Sequence, residues 1–412
     1  MKGGEEGRRF FSPLNKNFFL IHLPSPSSTP QLNLTFYNPS VVIISNMLTQ
    51  IQDVDVKTLA EVYDEDNIDS FVSLYLNFDD TNLIKHREKA CRTALKTWKK
   101  EALENFNKTM GIIEEYLQNE PKERGQKGWI IFASHLNNFF NAYKTDFEVE
   151  SRLIVDTSPY ISPLMQLLDE YEPFGLILLD THRAVVYVVN HDRVKTSKHL
   201  SKDIMNRHRK GGCSQARFQR LRRGAINAFF KEVSESSEHL LSEVKRVVVA
   251  GPGTAKDEFL DYLSDDLKKR VIGKIDVDFD EKEVLPAAEE AVTENREYTL
   301  VSKLEAFKKE VLRDGLAVYG VKEAVDAARN GQINTLFVLK GLKIKGWVCE
   351  RCQVVEPGNI KVCPYCGKPT SEVDVVEEII EFAERTDAET EFVDDDETLK
   401  DLGGVGGLLR FK

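Results

Sequence analysis

Two spacings of apolar residues divide this chain into elements. Phe71-Val72-Ser73-Leu74-Tyr75-Leu76 is an alternating run that predicts a strand. Between Ile84 and Leu117 the apolar positions Cys91, Ala94, Leu95, Trp98, Ala102, Phe106, Met110, Ile113 and Leu117 recur at helical spacing. Lys85, Arg87, Lys89, Arg92, Lys96 and Lys99 occupy the other face, so a long amphipathic tract follows the strand and Cys91 fills its core. Gly128 to Ala133 reads as a buried strand, with more strands up to Val155. A second unit opens at Phe174 to Asp180, pairs with Ala184 to Val189, and continues through a helix from Ser214 to about Val244 and a strand Val247 to Ala250. A third contains a helix over Lys303 to Leu312, the segment Ala317 to Gly320, a helix over Val321 to Arg329 and a strand Thr335 to Leu339. Strand and helix in alternation predict an α/β fold of three domains, each a mixed sheet with helices. The expected boundaries are 47–171, 172–293 and 294–412. Residues 1–46 read as an unstructured extension, and Met47 is an alternative start.

Composition adds a constraint. The chain has 412 residues, 41% hydrophobic and 30% charged, enough for several packed domains. Its net charge of −11 argues at first against a nucleic-acid partner, but the charge is unevenly placed. Residues 371–402 hold 14 Asp or Glu against Arg385 and Lys400, a local −12 that leaves the rest of the chain at +1. That block reads either as solvated surface or as a dock for a basic protein, with Val373, Val376, Ile379, Ile380 and Ala383 as a helical stripe. No apolar run approaches the roughly 18 residues of a membrane span. Phe18 to Leu23, followed by Pro24, Pro26 and Pro30, makes a poor signal peptide, so a cytoplasmic protein is expected.

Residues 207–223 invert the overall charge, with seven Lys or Arg and no acid. Arg207, Arg209 and Lys210 precede Gly211-Gly212-Cys213, and Arg217, Arg220, Arg222 and Arg223 follow. Adjacent glycines let backbone N–H groups approach a ligand, while Phe218, Leu221 and Ala225 have the spacing to dock a helix behind them. The segment reads as an arm that meets RNA or phosphate. Four of the six cysteines form two CxxC pairs, Cys349/Cys352 and Cys363/Cys366, separated by ten residues. That spacing predicts a tetrathiolate zinc ribbon at about 346–370, structural because no coordination position is left open.

With these motifs in place, the chain resembles the class I peptide chain release factors of archaea and eukaryotes. Their catalytic loop, Gly-Gly-Gln followed by Ser and Arg-Phe, is matched by Gly211, Gly212, Ser214, Arg217, Phe218, Arg220 and Arg222. Phe174 to Asp180, Ala250-Gly251-Pro252-Gly253-Thr254-Ala255-Lys256, Tyr319-Gly320 and Gly403 to Phe411 extend the resemblance over about 172–412. Two departures stand out. Cys213 replaces the family's glutamine, and the first domain lacks the decoding loop Asn-Ile-Lys-Ser and the Tyr-x-Cys-x-x-x-Phe motif; Asn82-Leu83-Ile84-Lys85 is a chance approximation.

The resemblance implies a release-factor-like architecture and codon-independent hydrolysis of peptidyl-tRNA at the peptidyl-transferase centre, reached through the ribosomal A site. It also implies a translational GTPase or a ribosome-splitting ATPase as partner of the third domain. In such a reaction Gly211 and Gly212 form a hinge and the Cys213 N–H stabilises an oxyanion. Three alternatives stay open: Cys213 as a nucleophile with His208 as base, a factor that binds the ribosome without cleaving, and a nuclease that cuts the tRNA. Gln215 could replace the missing amide only from the far side of the helix.

Overall fold

The computed structural model describes the chain from residue 49 onward, apart from residues 52–53, 66, 99, 191–192 and 205–212. The extension 1–46 and Met47 lie outside these residues. Among the described residues no helix is long and apolar enough to cross a membrane.

The first unit runs β1 (Thr49–Gln50), α1 (Val56–Ala60), β2 (Phe71–Asn77), α2 (Thr81–Trp98), α3 (Lys100–Asn119), β3 (Gly128–Ser134), β4 (Phe139–Thr145), β5 (Arg152–Asp156) and α4 (Ser162–Glu170). Its sheet has the order β1-β4-β3-β2-β5, antiparallel except between β1 and β4. Alternation along β2 and β3 builds a layer on each face. Val72, Leu74, Trp129 and Ile131 pack with Cys91, Leu95, Phe106 and Ile113 of α2 and α3, whereas Tyr75, Ile130 and Phe132 meet Leu59 and Leu164 of α1 and α4. The string Asn82-Leu83-Ile84-Lys85 lies in the first turns of α2, with Ile84 in the core. Residue 99 alone separates α2 from α3, too little chain to present a loop between them.

The second unit comprises β6 (Phe174–Leu179), β7 (Arg183–Asn190), β8 (Arg193–Ser201), α5 (Cys213–Leu240), β9 (Val247–Ala250), α6 (Ala255–Phe259), α7 (Asp265–Arg270) and β10 (Val271–Ile275). The order is β10-β9-β6-β7-β8, parallel across β10, β9 and β6 and antiparallel beyond. Phe229 and Phe230 of α5 and Phe259 of α6 cover one face. Val284, Ala288 and Val292 of α8 (Glu281–Leu312) cover the other. Although the sequence pattern opens a third unit near Asn295, α8 is one helix of 32 residues that continues onto the third sheet, where Leu304 and Phe307 pack with Phe337.

That unit adds β11 (Ala317–Tyr319), α9 (Val321–Arg329), β12 (Ile333–Leu339), β13 (Lys345–Cys349), β14 (Val354–Pro357), β15 (Ser371–Asp374), α10 (Val375–Arg385), β16 (Glu389–Val393), α11 (Glu397–Asp401) and β17 (Val405–Leu409). The main sheet has the order β11-β17-β12-β16, and β14-β13-β15 form a separate three-stranded sheet. Gly406 is required by close approach, since a Cβ there would lie 2.7 Å from the Phe307 ring and 3.0 Å from the Val318 carbonyl oxygen.

The acidic block is solvated surface only in part: Glu372, Asp387, Glu389, Asp394, Asp395, Glu397 and Asp401 are exposed, whereas the carboxylates of α10 are not. Val376, Ile379, Ile380 and Ala383 of α10 pack into the third core, while Glu377, Glu378 and Glu381 on its polar face are also buried, against the first unit. Glu377 accepts from the backbone N–H groups of Ile161 and, at 3.0 Å, Ser162; Glu381 accepts from the Ser158 hydroxyl at 2.7 Å. Arg385 pairs with Glu381 at 2.8 Å and donates to the Ala60 carbonyl at 2.5 Å. Glu350 and Asp156 also face this cluster, and the Thr157 hydroxyl donates to Glu350 at 2.7 Å. Burial pushes Glu377 and Glu378 well above the ordinary carboxylate range, Glu381 up to about 8 and Asp156 up to about 7. These groups hold protons more tightly when the units are docked than when they are apart. Docking is therefore strongest below the ordinary carboxylate range and weakens as pH rises through 7 to 8. The unfolding midpoint, and the resistance of residues 157–162 to proteolysis, should fall from about pH 6 to about pH 9. Glu381→Gln should flatten part of that slope; a slope equal to wild type would show that Glu381 does not carry it.

Candidate functional site

Ile204 and Ile226 are both buried in the core beneath α5. Gly211, Gly212, Arg207, Arg209 and Lys210 lie outside the described residues, and Cys213 opens α5 with its side chain undescribed. Arg217, Arg220 and Arg223 are exposed and Arg222 is half-buried. The spacing of Phe218, Leu221 and Ala225 predicts that they dock the helix, and the structure corrects this. Ala225 does pack on the core with Ile226, but Phe218 is 45% and Leu221 53% exposed, in turns that precede the helix's packing on that core. At 1.5 Å per residue, Cys213 to Ala225 form a stalk about 20 Å long. In the sequence it directly follows the glycine pair, and no acid occurs from Arg207 to Lys231.

Strand β8 adds cations that the sequence reading passed over. Lys195, Lys198 and His199 are exposed on this edge strand, which leads into the arm. An edge strand with both faces in water lacks the apolar alternation by which strands are recognised. Its visible signal is the mixture of Val194, Thr196 and lysines, which blunts an edge.

The Gly251-Pro252-Gly253 turn serves as scaffold. A Cβ on Gly251, at φ +148°, would lie 1.9 Å from the Leu179 carbonyl oxygen. The buried Lys256 donates from Nζ to the carbonyls of Gly251 at 3.0 Å and Gly253 at 2.7 Å, and to Asp276 at 3.0 Å. Its cation is consumed in closing the turn.

In the three-stranded sheet the four cysteines converge, with all sulfurs within 4.8 Å of one another and those of Cys349 and Cys366 3.5 Å apart. A tetrahedral ion about 2.3 Å from each thiolate needs sulfurs roughly 3.8 Å apart, so the set fits a metal. The Cys352 N–H donates to the Cys349 carbonyl at 3.0 Å, and the Gly367 N–H to the Cys363 carbonyl at 3.0 Å, forming two knuckles. The Lys368 backbone N–H draws the Cys366 thiol down to about 7, while burial raises Cys349 and the neighbouring Cys366 sulfur pushes Cys352 up to about 12, so the crowded sulfurs share their charge unequally.

Residues 159–293 match bacterial archaeo-eukaryotic release factor family 10, and residues 299–412 match the third domain of eRF1. The chain is 32% identical over 284 residues to peptide chain release factor subunit 1 of Archaeoglobus fulgidus, covering 62% of this chain and 70% of that protein. Among solved structures, the archaeal translation termination factor aRF1 aligns at 20% identity and a TM-score of 0.26, over 86% of this chain and 96% of its own. A ribosome-bound archaeal Pelota with ABCE1 aligns at 20% identity and a TM-score of 0.38, over 69% of this chain and 76% of its own.

The scaffold role of Lys256 can be separated from the arm. Lys256→Met should destabilise the protein by about 2–3 kcal/mol in denaturant unfolding, since two carbonyls lose their donor. Arg217→Ala and Arg220→Ala should each stay within about 0.5 kcal/mol of wild type.

Proposed function

Because the chain belongs to the family of archaeal and eukaryotic class I peptide chain release factors, we propose that it rescues ribosomes by hydrolysing peptidyl-tRNA without reading a codon. The observation that carries this reading is the projecting start of α5, a rigid basic stalk behind the glycine pair. Such a stalk can enter a channel lined by RNA while the sheet stays outside it. Arg217, Arg220, Arg222 and Arg223, with Lys195 and Lys198 of β8, meet phosphates and position the tip. Arg207, Arg209 and Lys210 do the same on the incoming side.

In the proposed step water adds to the ester carbonyl that joins peptide to tRNA. The tetrahedral oxyanion collapses to a peptide carboxylate and the free 3′-hydroxyl of the tRNA; one proton of the attacking water goes to the leaving 3′-oxygen and the other to solvent. Gly211 and Gly212 provide the hinge, and the backbone N–H of Cys213 faces the developing oxyanion. The thiol in place of the family's amide leaves that N–H in place and changes only the wall beside the water. Codon independence follows from a first unit in which α2 and α3 leave no room for a decoding loop. The third unit, by family resemblance, meets a translational GTPase or the ribosome-splitting ATPase. Zinc is the metal proposed for Cys349, Cys352, Cys363 and Cys366, with a structural role only.

Stalled ribosomes carrying labelled peptidyl-tRNA test this directly. Free peptide should appear at equal rates with a stop codon, a sense codon or no codon in the A site. Gly212→Ala should lose roughly 100-fold or more by restricting the hinge, whereas Cys213→Ala should stay within about tenfold of wild type. Shortened tRNA, or tight ribosome binding with intact peptidyl-tRNA, would falsify the hydrolase reading, and a thioester trapped on Cys213 would replace the backbone mechanism by a nucleophilic one.

Metal removal has its own outcome. A chelator strong enough to strip one ion per chain should melt the three-stranded sheet and lower the stability of the third unit, leaving the second sheet folded. Full stability with four free thiols, measured by thiol titration and calorimetry, is the contrary result.

A further inference from the structure

The tip of the cysteine ribbon has a surface that its structural role does not require. Residues 360–369 form a small hairpin, closed by a bridge between Val362 and Pro369 and by the Cys363 N–H donating to the Lys368 carbonyl at 2.8 Å. On it Ile360 is 37%, Val362 57% and Tyr365 68% exposed. Three large apolar side chains within six residues, all turned to water, make a patch that a folded protein seldom leaves without a partner. Tyr365 sits between the two ligands of a knuckle, so its backbone is fixed while its ring stands free.

Charge narrows the partner. Residues 343–370 carry Lys343, Lys345, Arg351, Lys361 and Lys368 against Glu350 and Glu356, a net +3, directly before a block of −12. All five cations are exposed and none forms an ion pair among the described residues, although Lys343 lies 5.8 Å from the centre of the Tyr160 ring. Lys343, Lys345 and Lys361 also line a cleft of about 1010 Å³ between the ribbon and the first unit, opposite Arg87. Asp69, Asp156, Glu372 and Asp374 line it too, so the cleft itself is balanced in charge; Asp156 accepts from the Thr157 N–H at 2.8 Å and Asp374 from the Ile344 N–H at 3.0 Å. A free aromatic face flanked by unpaired lysines is complementary to an unstacked base and its phosphates. An acidic peptide would satisfy the lysines but leave the ring without a planar partner.

We propose that the ribbon tip is a binding site for single-stranded RNA, with Tyr365 stacking on a base and Lys361 and Lys368 meeting the flanking phosphates. The site stands whether or not the glycine loop cleaves its substrate. It gives the cysteine quartet a purpose beyond holding the third unit together, since the metal fixes the position from which the ring projects.

The test uses the full chain and a fluorescently labelled single-stranded uridine 12-mer, read by anisotropy over a range of salt. Tyr365→Ala should weaken binding by about 5- to 100-fold, the range of one stacked base, with an unchanged salt slope. Tyr365→Trp should restore it. Lys361→Glu with Lys368→Glu should reduce the salt slope by about 1.4, the share of two phosphate contacts on a single strand. Metal content and melting temperature equal to wild type show that each variant is folded. If Tyr365→Ala loses the metal, the lysine pair and Tyr365→Trp still decide the matter. Wild-type affinity in both Tyr365→Ala and the lysine pair, or binding lost only with Arg217→Glu and Arg220→Glu on the arm, overturns the site. So does ribosome binding that falls in Tyr365→Ala while oligonucleotide binding does not, since the partner is then a protein.

Discussion

Burial of both faces of α10 is the constraint on which the arrangement of the units depends. An amphipathic helix on a sheet ordinarily leaves its polar face in water. Here that face is roofed by residues 157–162 and α1 of the first unit, where Glu377 accepts from two backbone N–H groups and Glu381 from a serine hydroxyl and Arg385, while Glu378 is buried beside them. A single cation among so many carboxylates cannot neutralise them, so the contact is held by hydrogen bonds that require partial protonation. Such a contact specifies geometry well and adds little net stability. The apolar cores on either side do the folding, and the acid cluster selects how the folded pieces meet.

Against this closed part of the molecule, the functional segments are those that leave the cores. The stalk of α5 departs at Ile226 and the ribbon hairpin departs beyond the sulfurs. Each is short, stiff at its base and basic where it projects. The rigidity comes from different sources, a helix in one case and four thiols suited to a metal in the other, but the consequence is alike: a small group of side chains is presented at a fixed distance from a packed sheet.

Much of this was legible because burial leaves a period in the sequence. Val72 to Leu76, Gly128 to Ala133 and Phe174 to Leu179 are continuous or alternating apolar runs, and each is a central strand. The cysteine quartet was legible because ligand spacing is a local property. Where the reading failed, the determinant was not local. Phe218 and Leu221 have the spacing of a docked face, yet both stay largely exposed, and how far the core extends along the helix is not written in their spacing. Strand β8 has no inward face to mark it. The carboxylates of α10 look solvated in any window of the sequence, because what covers them lies more than 200 residues earlier in the chain.

The shared helix α8 fixes something that neither sheet fixes alone. Val284, Ala288 and Val292 set its rotation on the second sheet, and Leu304 and Phe307 set it on the third. Each added residue between them would turn one half by about 100° and push it 1.5 Å along the axis. The span 293–303 is thus constrained in length, and Arg296, Leu300 and Lys303 within it are also held, by Asp169, by the third core and by Glu389 and Glu391. Seven or eleven inserted residues would keep the twist error to about 20° but part the two halves by about 10 or 16 Å, whereas one or two would turn them out of register with little displacement.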